Sequence, residues 1–265
     1  MVDPEEIDEY TLEEVTESGW LYFSENERLE AFRWYILAAD KAIEQNRGEL
    51  EETFAQIFRQ VGVDATDKLA EAFEESGETI LSSSAYQLTL GQMGFARVVD
   101  NFTTYLKDLL SEAVQAQPKV ISSTEKERLD FILNFDSMEG LRSALAEKKI
   151  ERLFYGGMED IEEFFQNRLG VDIFAEEGAR ERAERLKEYR NLIVHNRGRV
   201  NSQFLKEYPE SSYSEDDLLT FSFQDLSEHN FFFQQLVVRL DPLVAEKFDL
   251  HQYSREELLE MQGSP

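Results

Sequence analysis

Apolar residues recur at spacings of three and four along most of the chain, the period of a helix that buries one face. Leu29, Phe32, Ile36, Ala39 and Ile43 form one such stripe, and Leu50, Phe54, Ile57 and Val61 form a second. The longest stripe, Phe95, Val98, Phe102, Leu106, Leu109 and Ala113, predicts a core helix of about five turns. Shorter helices are predicted over 124–135, 138–150 and 158–169, followed by one over 176–196. A late helix carries Leu226, Phe233, Val237 and Leu240 on one side, with Phe232 and Leu236 beside them, and Pro242 is expected to stop it. Phe231, Phe232 and Phe233 all read as core, and Trp20, Tyr22, Phe23, Trp34 and Tyr35 as core or interface packing.

Helix starts are signed by a Ser or Thr with an acid three residues on, the pairing that satisfies orphan backbone donors. Thr11/Glu14, Ser24/Glu27, Thr124/Glu127 and Ser254/Glu257 fit that pattern. Small and polar residues mark breaks over 76–84, over 116–124 around Pro118 and over 207–217 around Pro209. Residues 218–223 alternate and predict a short extended piece, while the first 18 residues are expected to be loosely tied. The fold class is therefore all-α. The chain divides into an N-terminal helical extension (1–80), a main helical domain (81–250) and a short C-terminal helix and tail (251–265).

Composition narrows the function classes. A chain of 265 residues, 42% hydrophobic and with 20 Phe, has enough apolar surface to build a sizeable core. It has no cysteine, which excludes disulfides, thiolate metal sites and a cysteine nucleophile. His195, His229 and His251 are scattered, with no HxxxH or HExxH pair, so no metal site or other cofactor is expected. No basic leader or membrane-length apolar run is present, and a cytoplasmic protein without membrane attachment is expected.

The formal charge of -28 comes from 55 acids against 27 bases, and the bases are 17 Arg to 10 Lys. That balance suits a protein adapted to high salt, where surface carboxylates keep it hydrated and screening limits their repulsion. It also argues against broad nucleic-acid affinity, so any such binding has to be local. The segment 180–199, RERAERLKEYRNLIVHNRGR, is such a locality. It carries seven bases (Arg180, Arg182, Arg185, Lys187, Arg190, Arg197, Arg199) against three acids, together with an imidazole able to exchange a proton near neutral pH.

Within it, EYRNLIVHNRGRV resembles the signature of the HEPN superfamily, an Arg followed by a polar residue and then a His near the end of a helix. The resemblance covers residues 85–250 and takes in the long helix with VVDNFTTYLKDLLSE. It implies an up-and-down four-helix bundle with additional N-terminal helices. It further implies a metal-independent endoribonuclease acting on single-stranded RNA, a toxin or antiviral-defence protein with a cognate antitoxin protein as partner. On that expectation His195 moves the proton of the 2'-hydroxyl or leaving oxygen, Arg190 steadies the scissile phosphate, Asn191 orients the imidazole or the RNA, and Lys187, Arg197 and Arg199 bind RNA. The alternative is a catalytically inactive HEPN-like module that binds RNA or protein.

Helix geometry adds a constraint. Asn191 and His195, four apart, share a face, but Arg190 and His195 point about 140° apart on a straight helix. Convergence therefore calls for a homodimer or for loosening of the last turn before Gly198. Arg190 also falls in the apolar stripe of Ala183, Leu186 and Ile193, where a guanidinium needs a partner or a solvent-filled cleft. Simpler roles stand beside these: His195 as a histidine favoured by a helix C-terminus, Arg190 as an ion-pair member with Glu151 or Glu188, and Arg180, Arg182 and Arg185 solvated or paired with neighbouring glutamates.

Overall fold

The computed structural model describes residues 13–46, 83–122, 126–254, 256–258 and 260. In chain order these form β1 (Glu14–Val15), α1 (Glu17–Gln45), α2 (Ser83–Ala116), a 3-10 turn (Pro118–Ile121), α3 (Leu129–Ile132), α4 (Met138–Tyr155) and α5 (Met158–Phe164). A π-helical turn (Phe165–Leu169), α6 (Ala179–Asn196), α7 (Ser202–Glu207), α8 (Phe223–Phe248) and β2 (Tyr253–Ser254) complete the order. The described chain is overwhelmingly helical; its one sheet is the short antiparallel pair β1 and β2.

α2 is the hub, packed by α1, α4, α6 and α8. Its predicted stripe is buried throughout: Phe95, Phe102, Leu106, Leu109 and Ala113 are inaccessible and Val98 is nearly so. Stacked rings fix its register against its neighbours, with Phe102 on Phe233 of α8 at 4.4 Å and Phe95 on Phe221 at 3.9 Å between centroids. α8 buries Leu226, Phe232, Phe233, Leu236, Val237 and Leu240 as expected, but Phe231 points outward.

Pro242 does not end α8, which continues to Phe248. Val244, Ala245 and Phe248 are buried beyond it, and that burial exceeds the roughly 3 kcal/mol cost of a proline inside a helix. Residues 218–223 do not form a strand; Leu218 makes one isolated bridge to Arg199.

Local signals set several other boundaries. Ser137 caps α4 by accepting from the Gly140 N–H at 3.0 Å, and Asn201 caps α7 by accepting from Phe204 at 2.9 Å. Ser222 and Asp225 form a reciprocal capping box on α8. Ser254 and Glu257 pair as predicted, with both the Ser254 N–H and hydroxyl donating to the carboxylate at 2.8 Å. Ser24 does not start a helix: it lies inside α1. Thr11, Thr124 and the stripe Leu50 to Val61 lie outside the described residues.

α1 starts instead at Thr16, whose hydroxyl accepts from the Gly19 N–H at 3.0 Å. The acid that completes this cap comes from 225 positions away. Asp241 of α8 accepts from the Thr16 N–H at 2.9 Å, the Thr16 hydroxyl at 2.7 Å and the Tyr105 hydroxyl at 3.2 Å. A Cβ at position 19 would come within 2.8 Å of that carboxylate, so glycine is required there by close approach. Glu112 of α2 accepts from the N–H and hydroxyl of Ser18.

Residues 13–18 are consequently tied down rather than loose, and α1 sends Tyr22 into the same core as α2 and α8. Farther along α1 the predicted stripe is only partly covered. Phe32, Trp34 and Tyr35 are exposed, so core packing holds for Tyr22 but not for these three.

Burial raises the carboxyl of Asp241 above its ordinary 3.8, and burial also raises that of Glu112. The folded chain therefore holds these protons more tightly than the unfolded one, and stability falls as pH rises from the ordinary to the elevated values. Chemical denaturation at a series of pH values is expected to show that slope, reduced in Asp241→Asn. Asp241→Ala, which strands the Thr16 and Tyr105 donors in the core, is expected to cost on the order of 3 kcal/mol.

Candidate functional site

α6 carries the basic segment, and its buried side, Ala183, Leu186 and Leu192, packs into the core. Its C-terminus is closed by two left-handed residues, Arg197 at φ 57° and Gly198 at φ 71°. The Gly198 N–H donates back to the Leu192 carbonyl at 3.0 Å, the wrap-around bond of a helix-ending turn. A Cβ on Gly198 would collide with the Gln92 side chain, which donates to the Leu219 carbonyl at 2.8 Å. Leu219 in turn donates to the Gly198 carbonyl at 2.8 Å, so the end of α6 is pinned to α2 and to the segment before α8.

Beside α6 lies an open cleft of about 800 Å³, and Arg190, Asn191 and His195 all line it. The expectation that a single helix cannot turn Arg190 and His195 toward one space is corrected here. Arg190 sits at the edge of the face that holds Asn191 and His195, and its long side chain reaches round to donate to Asn191 Oδ1 at 3.4 Å. Both side chains therefore line one cleft within a single copy.

The partners of these groups differ from those expected. Arg190 Nε donates to Asp100 Oδ1 of α2 at 2.7 Å, not to Glu151 or Glu188, and both side chains stay partly exposed. Glu151 lies 4.0 Å from Lys107. Asn191 Nδ2 donates to Glu188 Oε1 at 3.0 Å, and burial raises the Glu188 carboxyl above its usual range. His195 is exposed to the cleft and makes no hydrogen bond to any described residue. Both ring nitrogens are thus available to a ligand.

The remaining predicted cations divide. Lys187 lines the cleft but donates to the Gly156 carbonyl, closing the C-terminal end of α4. Glu184, one turn back, accepts from the Met158 N–H at the start of α5. Together these two side chains hold the α4–α5 corner, from which Tyr155 projects into solvent at the cleft wall, 95% exposed.

Arg197 and Arg199 lie outside the cleft, and Arg199 donates to the Asp216 carbonyl at 2.8 Å. Arg180 sits among Glu159, Glu162 and Glu181, and Arg182 pairs with Glu228 at 3.0 Å while covering the Phe232 ring. Those residues take the simpler role of ion pairing. His229 is packed edge-on against Phe95 and Phe221, and burial lowers its pKa.

Four carboxylates, Asp100, Glu184, Glu188 and Glu207, line the cleft against the cations Lys187 and Arg190. The positive segment read along the sequence is therefore not a positive surface in space, because α6 meets acids from its neighbours. Asp100 and Tyr155 were not singled out by sequence. Asp100 stands in VVDNF on the core helix, and no local pattern marks it as the counter-ion of a residue 90 positions away. Comparison of the chain with protein families, with curated proteins and with solved structures gives no match.

Gly198→Ala forces a side chain into a left-handed position and against Gln92. It is expected to cost about 1–2 kcal/mol from the backbone alone, read by denaturant titration, with a larger loss if Gln92 cannot move aside.

Proposed function

We propose that this chain is a metal-independent endoribonuclease of the HEPN kind acting on single-stranded RNA. The observation that carries the proposal is that Arg190, Asn191 and His195, the residues of the RNLIVH motif, open together into one solvent-reached cleft. An imidazole with two free nitrogens can take the proton of a ribose 2'-hydroxyl as that oxygen attacks the adjacent phosphorus. The 5'-oxygen then leaves, giving a 2',3'-cyclic phosphate and a 5'-hydroxyl, so that atoms and charge balance once the 5'-oxygen is protonated.

A guanidinium within the same cleft opposes the negative charge that grows on the phosphoryl oxygens. Asp100 holds Arg190 through Nε and Asn191 Oδ1 accepts from Nη1 at the long distance of 3.4 Å, so the guanidinium keeps N–H groups with which to meet a phosphate in the cleft. A single His195 accounts for one proton transfer. The second falls to water or to His195 of another copy, which gives homodimerisation a chemical role: supplying a second imidazole rather than bringing Arg190 and His195 together.

A second reading, a silent module that binds protein or RNA without cleaving it, is favoured by the excess of carboxylates in the cleft and by the engagement of Arg190 with Asp100. A toxin or defence role with a cognate antitoxin protein belongs to the first reading.

Incubation of the chain with mixed RNA in EDTA and molar KCl, beside Arg190→Ala and His195→Ala, separates the two. The enzyme reading expects 2',3'-cyclic phosphate ends, with the rate lowered about 100-fold or more in His195→Ala, the scale for loss of a general base. An intact parent that leaves RNA uncut, or variants that cut as fast as the parent, contradicts it.

A further inference from the structure

A second, cation-rich surface lies elsewhere among the described residues. A groove of about 1140 Å³ between the 3-10 turn, α4, α5 and the π-helical turn is lined by Lys126, Arg128, Lys148, Lys149, Arg152 and Arg168. Three carboxylates, Glu127, Asp160 and Glu163, line it with them. Cations thus outnumber acids two to one here, whereas in the whole chain 55 acids outnumber 27 bases by the same ratio. The sign is the reverse of that in the His195 cleft, where four acids face two cations.

Some of this charge is spoken for. Lys148 pairs with Glu127 at 2.7 Å, Arg128 grips Asp130, and Lys149 donates to the Ile121 carbonyl at 3.1 Å. Lys126 and Arg168 are exposed and make no hydrogen bond or ion pair with any described residue.

The groove and the cleft are neighbours. Arg152 and Leu153 line the groove, and the next four residues, Phe154 to Gly157, line the His195 cleft. Between them, on the corner held by Lys187 and Glu184, stands the 95% exposed Tyr155. A positive groove that tracks a backbone, followed by a bare aromatic ring, is the arrangement that single-stranded nucleic acid uses: phosphates on the cations, a base on the ring. An acidic peptide would use the cations and leave the ring without a counterpart.

We propose that the α4–α5 groove is a binding track for single-stranded RNA, that Tyr155 stacks a base at its end, and that the strand passes over this corner into the His195 cleft. The proposal rests on the ribonuclease reading for its last step only. It resolves the electrostatic difficulty of that reading: a strand entering a carboxylate-rich cleft is retained by cations outside it. Most of the affinity lies in the groove, and the cleft contributes the reacting groups.

The test is binding of a fluorescent single-stranded oligoribonucleotide to the full chain, in the His195→Ala background so that the probe stays intact. The KCl series starts at the lowest concentration at which circular dichroism shows the fold retained. Lys126→Ala/Arg168→Ala is expected to weaken binding at least about fivefold and to lower the salt slope by about 1.4, roughly 0.7 for each phosphate of a single strand that is no longer neutralised. Tyr155→Ala is expected to weaken binding about fivefold or more with the salt slope unchanged, as for removal of a stacked base.

All three substituted residues are exposed, so circular dichroism should not change. Affinity and slope equal to those of the parent in the double variant overturn the proposal, as does displacement of the RNA by a poly-glutamate peptide at equal concentration, which would make an acidic protein segment the ligand. Cleavage by the His195-containing chain is measured in parallel. Groove variants that lose binding while no RNA is ever cut uphold the groove and sink the ribonuclease reading; cutting that requires His195 but ignores the groove does the reverse.

Discussion

From Phe95 to Val114 the apolar face of α2 is covered on several sides at once, by α1, α4, α6 and α8. A helix so enclosed cannot shift along its axis without unstacking Phe102 from Phe233 and Phe95 from Phe221, because packed interiors have discrete arrangements rather than a continuum. The positions of the helices around it are fixed as a consequence. Asp100, on the rim of that same helix, is thereby set at the height where α6 presents Arg190. The candidate site is in this sense a by-product of the core: the guanidinium is aimed by a carboxylate whose own position is dictated by burial two turns either side.

In so acidic a chain, position rather than number gives the carboxylates their meaning. Many of the described ones are exposed and contribute charge. A few are structural: Asp241 and Glu112 clasp the start of α1, Glu184 begins α5, and Asp100 holds Arg190. Cations likewise divide into those consumed by pairing along α6 and those, Lys126 and Arg168, that meet no described partner along the α4–α5 groove. Charge read along the sequence and charge read over the surface consequently disagree, and the surface is what a polyanion meets.

Much of the architecture was legible in the residues. The period of three and four in α2 and α8 fixed their buried faces, because a helix packed on several sides repeats its signal over many turns. The motif helix, expected over 176–196, runs Ala179–Asn196. What was illegible is non-local. Ser24 and Glu27 have the spacing of a capping box, yet the start of α1 belongs to Thr16, whose acid partner lies on α8. Pro242 carries a stop signal that burial of Val244 and Phe248 outweighs. The cations of the groove are scattered from 126 to 168 among acids, so that only the fold collects them, and Tyr155 looks like an ordinary end to an amphipathic helix until the corner exposes it.

The central claim is that His195 faces a ligand-accessible cleft that receives RNA. The chain has three histidines, which makes the imidazole resonances a direct readout. Titration with a 2'-O-methyl oligoribonucleotide, which lacks the attacking hydroxyl and so stays uncut, is predicted to move the His195 ring signals while those of His229, enclosed by Phe95 and Phe221, stay in place. His195 signals that remain unmoved at saturating oligonucleotide would contradict the account.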